Sequence, residues 1–484
     1  MNENTRGNTS IKNSVIDSFF PDPHVRAKII NYVNESINHH LINLDEAKVS
    51  PVLSKNEISE IISKYDFSKE TTPEVVLSDI FELLNNGIVH VTSPNYFGLF
   101  NPTSSFWGGI AETITSIYNP QLAAWSHAPA CVDIENKIIN YFGITVGYNA
   151  NEVNGAFTYG GAEANFTSLI CALVKKFPNY TSTGLSGING NPVFYISSDS
   201  HLAWLKIAVQ AGLGKNSVRL IAVDRNGKMD IQELKFAIKK DKSNGEQPFF
   251  VSATAGTTNA GTIDPLDDIA DICKEYDLYY HVDAAWAGAI LFSDNYKHLL
   301  KGIEHSDSIT IDAHKWLAAP MGTGMFISSC PGVLNTAFAV STNYMPGKHE
   351  DNLDPYTNSV QWSRKFNGLK LFIPMAILSH AGFRNMIEYQ INLGKYLKQQ
   401  LINDNWEIIN LSELPIACFT DRDGYDPEKI LEAILIENNH WLSITSYAGR
   451  KTLRACITSF RTTKENIDKL ISSLNQARQF ERVK

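Results

Sequence analysis

Two apolar runs, LYYHVDAAWAG at 278–288 and SITIDAHKW at 308–316, indicate the fold of this chain. Both are rich in β-branched or aromatic residues in their first half and continue into charged ones, which is typical of a buried parallel strand whose carboxyl end reaches a polar site. Four more apolar runs of strand length occur along the chain: NPVFYISS at 191–198, SVRLIAV at 217–223, FFVSAT at 249–254 and GTGMFIS at 322–328. This repetition predicts a mostly parallel sheet.

Segments with helical spacing of apolar residues separate several of these runs: AEANFTSLICALVKKF at 162–177, LAWLKIAVQAGLG at 202–214 and PLDDIADICKEY at 265–276. Each segment is long enough to carry the chain back to the start of a parallel neighbour, so we predict an α/β fold with helices covering the sheet. In such folds ligands bind beyond the carboxyl ends of the strands. Candidate functional residues are therefore those that follow each strand.

The regions that flank the sheet differ from it in pattern. Helical spacing in VRAKIINYVNESI and EVVLSDIFELL predicts an N-terminal helical segment over residues 1–85. We expect a large domain that contains the sheet over 86–375 and a small α+β domain over 376–484. The polar segment 343–360 follows the run GTGMFIS at 322–328. It contains Pro and Gly and lacks periodicity, which predicts a long loop.

Composition narrows the class of protein. The 484 residues carry a net charge of −9 and are 43% hydrophobic, which is typical of a globular enzyme and gives no basic surface for nucleic acid or an anionic membrane. The start lacks a signal-peptide core and the longest apolar stretch is too short to span a bilayer, so we expect a cytoplasmic protein. The six cysteines show no metal-ligand spacing, and we predict reduced thiols and no metal site.

Residues that suit a phosphate ester and a planar ring follow several strands. Gly160 and Gly161 precede a helix, whose free N–H groups and dipole favour an anion. His201 follows the strand NPVFYIS and could stack on a ring, while Thr257 lies in the hydroxyl-rich loop ATAGTT. Taken alone, each of these features is more often an ordinary turn, a structural histidine or a Thr-rich loop.

The carboxylate and the lysine of the two opening runs are more specific. A buried carboxylate at Asp283 could keep a pyridine nitrogen protonated. An amine at Lys315 could form a Schiff base if its surroundings leave it deprotonated. A lysine inside an apolar stretch bounded by strands is difficult to explain as an ordinary surface residue.

The motifs GGAEAN, SDSH, TAGTTNAGTIDP, HVDAAWAG and DAHKW occur in this order and resemble the group II decarboxylases that depend on pyridoxal 5′-phosphate (PLP). That family includes aromatic-L-amino-acid and glutamate decarboxylases. The resemblance covers about residues 90–475 and implies PLP fold type I, with a mostly parallel seven-stranded sheet. It also implies a homodimer with shared active sites, in which residues 1–85 pack on the partner subunit.

The resemblance also implies roles for individual residues. Lys315 would be the Schiff-base lysine, Asp283 would pair with the pyridine nitrogen, and His201 would stack on the ring. The other positions that match cofactor contacts are Gly161, Ala162, Thr257, Asp312 and His314. Many relatives carry serine where this chain has Ala162, so backbone N–H groups must contribute more to holding the phosphate.

The implied reaction is release of CO2 from an L-amino acid to give its amine. In relatives a tyrosine on a long loop protonates the reacting carbon; Tyr356 is the first candidate here and Tyr344 the second. Other PLP reactions on the same fold, by an aldehyde synthase or an aminotransferase, stay open, as does a PLP-free binding protein or scaffold. The presence of both His201 and a loop tyrosine favours simple decarboxylation.

The substrate side chain is the least determined feature. Phe100 and Thr103 resemble the side-chain pocket of the family and favour an aromatic substrate, although aromatic residues at such positions are equally often core. Gln121 and His127 would instead suit a polar or acidic side chain. Arg454 and Arg461 are weaker candidates for binding a carboxylate, since most arginines lie at the surface.

Overall fold

A seven-stranded sheet occupies the centre of the chain in the computed structural model, which describes residues 16–341 and 354–482. Its strands are β1 (Asn154–Thr158), β2 (Pro192–Ser197), β3 (Val218–Ile221), β4 (Gln247–Thr254), β5 (Tyr279–Asp283), β6 (Ser308–Asp312) and β7 (Gly324–Ser328). The spatial order is β1-β7-β6-β5-β4-β2-β3, and β7 alone runs antiparallel to its neighbours in this sheet. The predicted fold class is therefore confirmed.

All six apolar runs of the sequence form strands of this sheet. The pattern did not delimit β1, because NGAFT is short and carries Asn and Gly, which are rare in strands. β5, β6 and β7 are buried along their whole length, which explains why these runs are almost continuously apolar. Successive residues of β5 enter opposite core clusters, Tyr279 with Phe250 and Tyr280 with Val251.

Helices cover the sheet and form the N-terminal and C-terminal regions. They are α1 (Pro23–Asn43), α2 (Lys55–Ser63), α3 (Pro73–Asn86), α4 (Phe106–Tyr118), α5 (Pro129–Val146), α6 (Gly161–Lys176), α7 (Tyr180–Thr183), α8 (Ala203–Gln210), α9 (Ile231–Ser243), α10 (Leu266–Tyr276), α11 (Val333–Phe338), α12 (Leu369–Asn403), α13 (Pro427–Glu437) and α14 (Lys464–Arg482). None of these helices of the described chain is both long and apolar enough to cross a membrane.

A second, antiparallel sheet lies near the C-terminus. Its order is β10-β11-β9-β8, formed by β8 (Trp406–Ile408), β9 (Ile416–Asp421), β10 (Ser443–Tyr447) and β11 (Arg450–Cys456). A separate core cluster joins this sheet to α13 and α14, with Phe419, Ile434 and Leu470 fully buried. The long helix α12 crosses the predicted domain boundary at residue 375, and its backbone leaves helical values at Ser379, where φ is 59°. The three domain limits remain a prediction.

Candidate cofactor site

The register of the central sheet brings the predicted residues to one edge. Asp283, the last residue of β5, lies opposite Thr254 at the end of β4 and opposite Thr310 in β6. Asp312, the last residue of β6, lies opposite Gly324 at the start of β7. Because β7 runs antiparallel, Gly324 also lies opposite Thr158, the last residue of β1. The site therefore extends across the adjacent strands β1, β7, β6 and β5, and β4 lies next to β5.

Lys315 lies in the turn that follows β6 and is paired with Asp312. Its Nζ is 3.0 Å from Asp312 Oδ2. The Lys315 side chain is 22% exposed to solvent, whereas that of Asp312 is 2% exposed. The turn is fixed by the Lys315 N–H, which donates to the backbone oxygen of Asp312. The amine is thus held at the end of the sheet and still open to a ligand.

A cradle of glycines surrounds the Asp312 carboxylate. A side-chain carbon at Gly161 would lie 2.9 Å from Asp312 Oδ2, and one at Gly324 would lie 2.7 Å from Oδ1. The helix α6 begins at Gly161, and the backbone oxygen of Gly160 accepts from the N–H groups of Glu163 and Ala164. The N–H groups of Gly161 and Ala162 have no acceptor within residues 16–341 and 354–482, so they are available to an anion.

His314 is packed into the same turn. Its Nδ1 lies 3.1 Å from the backbone oxygen of Thr323, and its Nε2 lies 3.9 Å from Asp312 Oδ2. Burial lowers the pKa of His314, although the nearby carboxylate acts in the opposite direction. The Thr323 backbone nitrogen lies 3.3 Å from the same Nδ1, so both backbone groups of Thr323 hold the ring in place.

The Asp283 carboxylate is held by a buried network that sequence patterns do not assign. Asn165 Nδ2 donates to Asp283 Oδ2 at 2.7 Å, and the Ala285 N–H donates to Oδ1 at 3.2 Å. Asn165 Oδ1 in turn accepts from Thr310 Oγ1 at 2.7 Å and lies 3.1 Å from His281 Nε2. Burial lowers the pKa of His281 to about 3, so this ring is neutral. The two donors fix the position of the Asp283 carboxylate.

His201 lies after β2, at the start of α8, with its side chain exposed. Its Nδ1 accepts from the Ala203 N–H at 3.2 Å, which fixes the ring orientation. Ser200, the preceding residue, is joined to the end of β4 by a 2.9 Å bond between its Oγ and Thr254 Oγ1. This bond ties the His201 turn to the strand beside Asp283.

Thr257 lies in a tight loop after β4 and is fully buried. Its Oγ1 accepts from the Thr262 N–H at 3.1 Å, which leaves the hydroxyl hydrogen free to donate to a ligand. The preceding Gly256 has φ +90°, and a side-chain carbon there would lie 2.8 Å from Trp286 Nε1. Only glycine fits this close approach without strain.

An aromatic stack connects the predicted substrate region to the cofactor residues. Phe100 stacks on Trp286 with ring centroids 4.2 Å apart, and Trp286 lies 5.4 Å from Trp316, the neighbour of Lys315. The Phe100 ring also contacts the Arg454 guanidinium, 4.8 Å from its centroid. Thr103 is also buried. Phe100 is therefore a wall of the core as well as a candidate pocket residue.

The remaining predicted residues lie on a second segment. Gln121 and His127 are exposed in the single chain. Between them, Ala123 and Trp125 are tied to residues 354–356: the Tyr356 N–H donates to Ala123 O, and the Trp125 N–H donates to Asp354 Oδ1. Tyr344 lies outside the described residues.

Tyr356 itself is 4% exposed, and its ring packs on Trp362 with centroids 4.9 Å apart. Within the described chain no hydrogen bond or ring contact joins Tyr356 to Lys315 or Asp283.

The two C-terminal arginines differ from each other. Arg454 is 2% exposed, contrary to the expectation of a surface residue, because β11 carries it beneath the substrate segment. There it donates to Gly98 O at 2.7 Å and Thr258 O at 3.0 Å, and it has no carboxylate partner in the described chain. Arg461 instead pairs with Asp45 at 2.8 Å. Arg461 is thus already neutralised.

These residues fit PLP in every respect but one. The glycine cradle and free N–H groups suit a phosphate, the fixed carboxylate of Asp283 suits a ring nitrogen, and the amine of Lys315 suits an aldehyde. The exception is Asp312, an acid in the phosphate cradle, whose Oδ1 is buried and finds no donor in the part of the chain that the structure describes.

Comparison with known proteins agrees with this fit. A family model described as the pyridoxal-dependent decarboxylase conserved domain matches residues 59–422. An aromatic-L-amino-acid decarboxylase from Bacillus atrophaeus is 26% identical over 442 residues, which span 88% of this chain and 90% of the relative. An L-aspartate decarboxylase from Metarhizium robertsii is 31% identical over 322 residues, which span 66% of this chain and 64% of the relative.

Among solved structures, mouse CSAD superimposes with a TM-score of 0.89 and 24% identity, covering 94% of this chain and 99% of that chain. At this identity the likeness establishes the fold alone. The two curated relatives act on different classes of amino acid, so the substrate has to be argued from the site itself.

Proposed function

The chain belongs to the pyridoxal-dependent decarboxylase family, with PLP as its cofactor, and from this premise we propose that it converts an L-amino acid to its amine and CO2. The observation that carries the proposal is the placement of Lys315, Asp283 and the glycine cradle at adjoining strand ends. An amine, an acid and an anion site on one edge are the groups that PLP requires.

The residues of the chain would prepare and control the reaction. When bound, PLP accepts the electrons of the broken bond between Cα and the carboxylate. Asp283, held in position by Asn165 and the Ala285 N–H, would pair with the ring nitrogen and hold a proton on it. His201, with its ring fixed by the Ala203 N–H, would cover one ring face. Lys315 would attach the cofactor and release it to the substrate amine.

The proton that replaces CO2 is assigned to a tyrosine. We keep Tyr356 as the first candidate and Tyr344 as the second. The burial of Tyr356 and its packing on Trp362 are equally compatible with a structural role in which it anchors residues 354–358 to the segment around Ala123. The two tyrosines can be separated by the experiment described in the Discussion.

For the substrate side chain, our first candidate is aromatic. The wall formed by Phe100 and Trp286 supports it, because both rings are buried beside the cofactor residues and exclude water from a side chain placed against them. Thr103, Gln121 and His127 would complete the pocket, with Gln121 and His127 supplying polar contacts at its rim.

An acidic side chain is the second candidate, and Arg454 favours it. A buried guanidinium without a carboxylate partner leaves an uncompensated positive charge beneath the segment that carries Phe100. That charge would stabilise a substrate carboxylate far more than a neutral aromatic ring. Arg454 Nε donates to Thr258 O and Nη1 donates to Gly98 O and Ser443 Oγ, whereas Nη2 is buried with no hydrogen-bond partner among the described residues.

We also propose a cytoplasmic homodimer whose subunits share their active sites. The support is the apolar surface of α4, where Phe106, Ile117 and Tyr118 are 66%, 79% and 81% exposed in the single chain. Such a surface indicates an interaction site. Gln121 and His127 follow this helix directly and are exposed with it, so a partner subunit at α4 would cover both. Analytical ultracentrifugation of the full chain tests the dimer.

The function is tested by a screen of L-amino acids on the PLP-loaded full chain. We expect CO2 and amine in equal amounts from one aromatic or acidic amino acid, with neither keto acid nor aldehyde. Keto acid without CO2 would assign an aminotransferase, and aldehyde with consumption of dioxygen would assign an aldehyde synthase. A colourless protein with no borohydride-reducible PLP would overturn the enzyme assignment itself.

Arg454→Met then separates the two substrate classes. If the substrate is acidic, its KM rises about tenfold or more while an aromatic analogue is unaffected. If the substrate is aromatic, the KM values of the acidic and the aromatic compound change equally, because the substitution then acts only through the structure. Arg461→Met is the matched control, because Arg461 pairs with Asp45.

A further inference from the structure

Asp312 is an acid at the position where an acid is least expected. Its carboxylate lies between Gly161 and Gly324, at the N-terminal end of α6, in the cradle assigned above to the phosphate of PLP. A side-chain carbon at Gly161 or Gly324 would lie 2.9 Å or 2.7 Å from its oxygens, so the carboxylate fits because both positions are glycine, and the Lys315 amine 3.0 Å away holds it there. It therefore stays next to whatever anion binds there.

Among the described residues, only one of the two carboxylate oxygens of Asp312 has a positively charged partner. Oδ2 lies 3.0 Å from Lys315 Nζ, while Oδ1 is buried without a hydrogen-bond donor in the described residues. The other charged or titratable groups near the cradle are His314 on the same turn, Lys370 on α12, which acts electrostatically on His314, and Glu163 in the first turn of α6. Glu163 is bonded to the Tyr159 N–H and to Gln361.

Binding of the cofactor would change this balance. A phosphate ester would bring close to two negative charges into the cradle, and the one amine paired with Asp312, that of Lys315, cannot balance these charges and the carboxylate together. Two anions a few ångströms apart in a water-poor site repel strongly, and one proton shared between them relieves the repulsion. The Oδ1 atom, which accepts no bond from residues 16–341 or 354–482, is the atom that such a proton would occupy.

We propose that Asp312 takes up one proton when a phosphate ester enters the cradle, so that its carboxyl group donates a hydrogen bond to the phosphate and does not repel it. This inference rests on the assignment of the cradle to the PLP phosphate and is independent of which amino acid is decarboxylated. Cofactor binding then becomes coupled to pH. Since binding takes up a proton, affinity falls as pH rises.

The test uses pyridoxamine 5′-phosphate, which has the phosphate but no aldehyde to react with Lys315. Its affinity for the full-length apoprotein is measured by equilibrium dialysis above pH 7, where the phosphate ester is already a dianion. We expect the affinity of the wild type to fall by up to about tenfold per pH unit, which corresponds to one proton taken up. In Asp312→Asn the amide donates without a proton, and we expect a nearly flat profile.

Proton uptake is counted directly by titration calorimetry in buffers of different ionisation enthalpy. We expect the wild type to take up about one proton more than Asp312→Asn, and pyridoxamine without phosphate to cause no uptake. Asp307→Asn is the matched control, because Asp307 pairs with Lys175 at 2.7 Å at the opposite end of β6. This control should behave as the wild type does.

Three outcomes would overturn the proposal. The first is a wild type that takes up no proton, which is decisive even if Asp312→Asn does not fold. The second is equal uptake in the wild type and Asp312→Asn. The third is loss of the uptake in His314→Gln but not in Asp312→Asn, which would assign the proton to His314. Each leaves the decarboxylase assignment intact, whereas failure to bind the phosphate ester at all would also overturn the cradle.

Discussion

The side-chain amide of Asn165 joins the Asp283 carboxylate to the interior of the sheet. Its Nδ2 donates to Asp283 Oδ2 at 2.7 Å, while its Oδ1 accepts from Thr310 Oγ1 at 2.7 Å. One residue of α6, the helix that begins at the phosphate cradle, therefore also sets the position of the acid assigned to the ring nitrogen. The two ends of the cofactor would be held by the same helix.

We predict that Asn165→Ala lowers the affinity for PLP about tenfold to a hundredfold, because it removes the shorter of the two bonds to Asp283 and leaves buried polar groups unpaired. Equilibrium dialysis measures this. Ser168→Ala, one turn further along α6, removes only a bond to the Asn165 backbone oxygen and serves as the control. Equal loss in both variants would indicate damage to the helix and not to Asp283.

For Lys315→Ala we predict loss of the imine absorbance and of borohydride-reducible cofactor, with decarboxylation reduced more than about a thousandfold. Absorbance spectra measure the imine, and mass spectrometry after borohydride reduction measures the attached cofactor. Lys301→Ala is the control, since Lys301 is a surface lysine paired with Asp267. If cofactor remained covalently attached in the Lys315 variant, another lysine would hold it.

Tyr356→Phe keeps the ring that packs on Trp362 and removes only the hydroxyl. If Tyr356 protonates the reacting carbon, amine formation should fall by about a hundredfold or more while thermal stability is unchanged. Product analysis of Tyr356→Phe and Tyr344→Phe measures this. The reverse result, loss of amine only in Tyr344→Phe, would move the role to Tyr344 and leave Tyr356 as an anchor.

His281 makes stability depend on pH. Because burial lowers its pKa to about 3 in the folded chain, against about 6.5 when unfolded, the unfolded chain binds the proton first as pH falls. We therefore expect this one residue to reduce the free energy of unfolding by about 2 kcal/mol between pH 7 and pH 5.

Urea unfolding at both pH values measures this loss. His281→Gln should lack the contribution, and its stability should change less with pH than that of the wild type. The exposed His298→Gln should keep it. An identical pH dependence in all three proteins would show that His281 is not neutral in the folded state.

Much of the fold follows from local sequence patterns. The runs that end in Asp283 and Asp312 form buried strands because both faces of the sheet are covered, and PLDDIADICKEY forms a helix with one apolar face. The strand β1 and the helices α4 and α5 do not stand out, because their apolar residues are interrupted by Gly, Asn or polar residues whose contacts come from distant segments.

The site is predictable only in part for the same reason. Lys315 and Asp283 carry chemistry that their apolar surroundings make conspicuous. Asn165 lies in the motif GGAEAN, four residues after Gly161, and this one-turn spacing was the available signal for its inward position. Arg454 carries no such signal, because its burial depends on Gly98 and Thr258, which are distant in sequence.

The stack of Phe100, Trp286 and Trp316 has a consequence for observing this protein. Trp316 is adjacent to Lys315, and Trp286 is three residues from Asp283, so both indoles lie beside the expected position of the cofactor ring. Their emission should be quenched by energy transfer when the ring is bound. Intrinsic fluorescence then offers a label-free record of cofactor arrival and departure in real time, in a protein that needs no engineered probe.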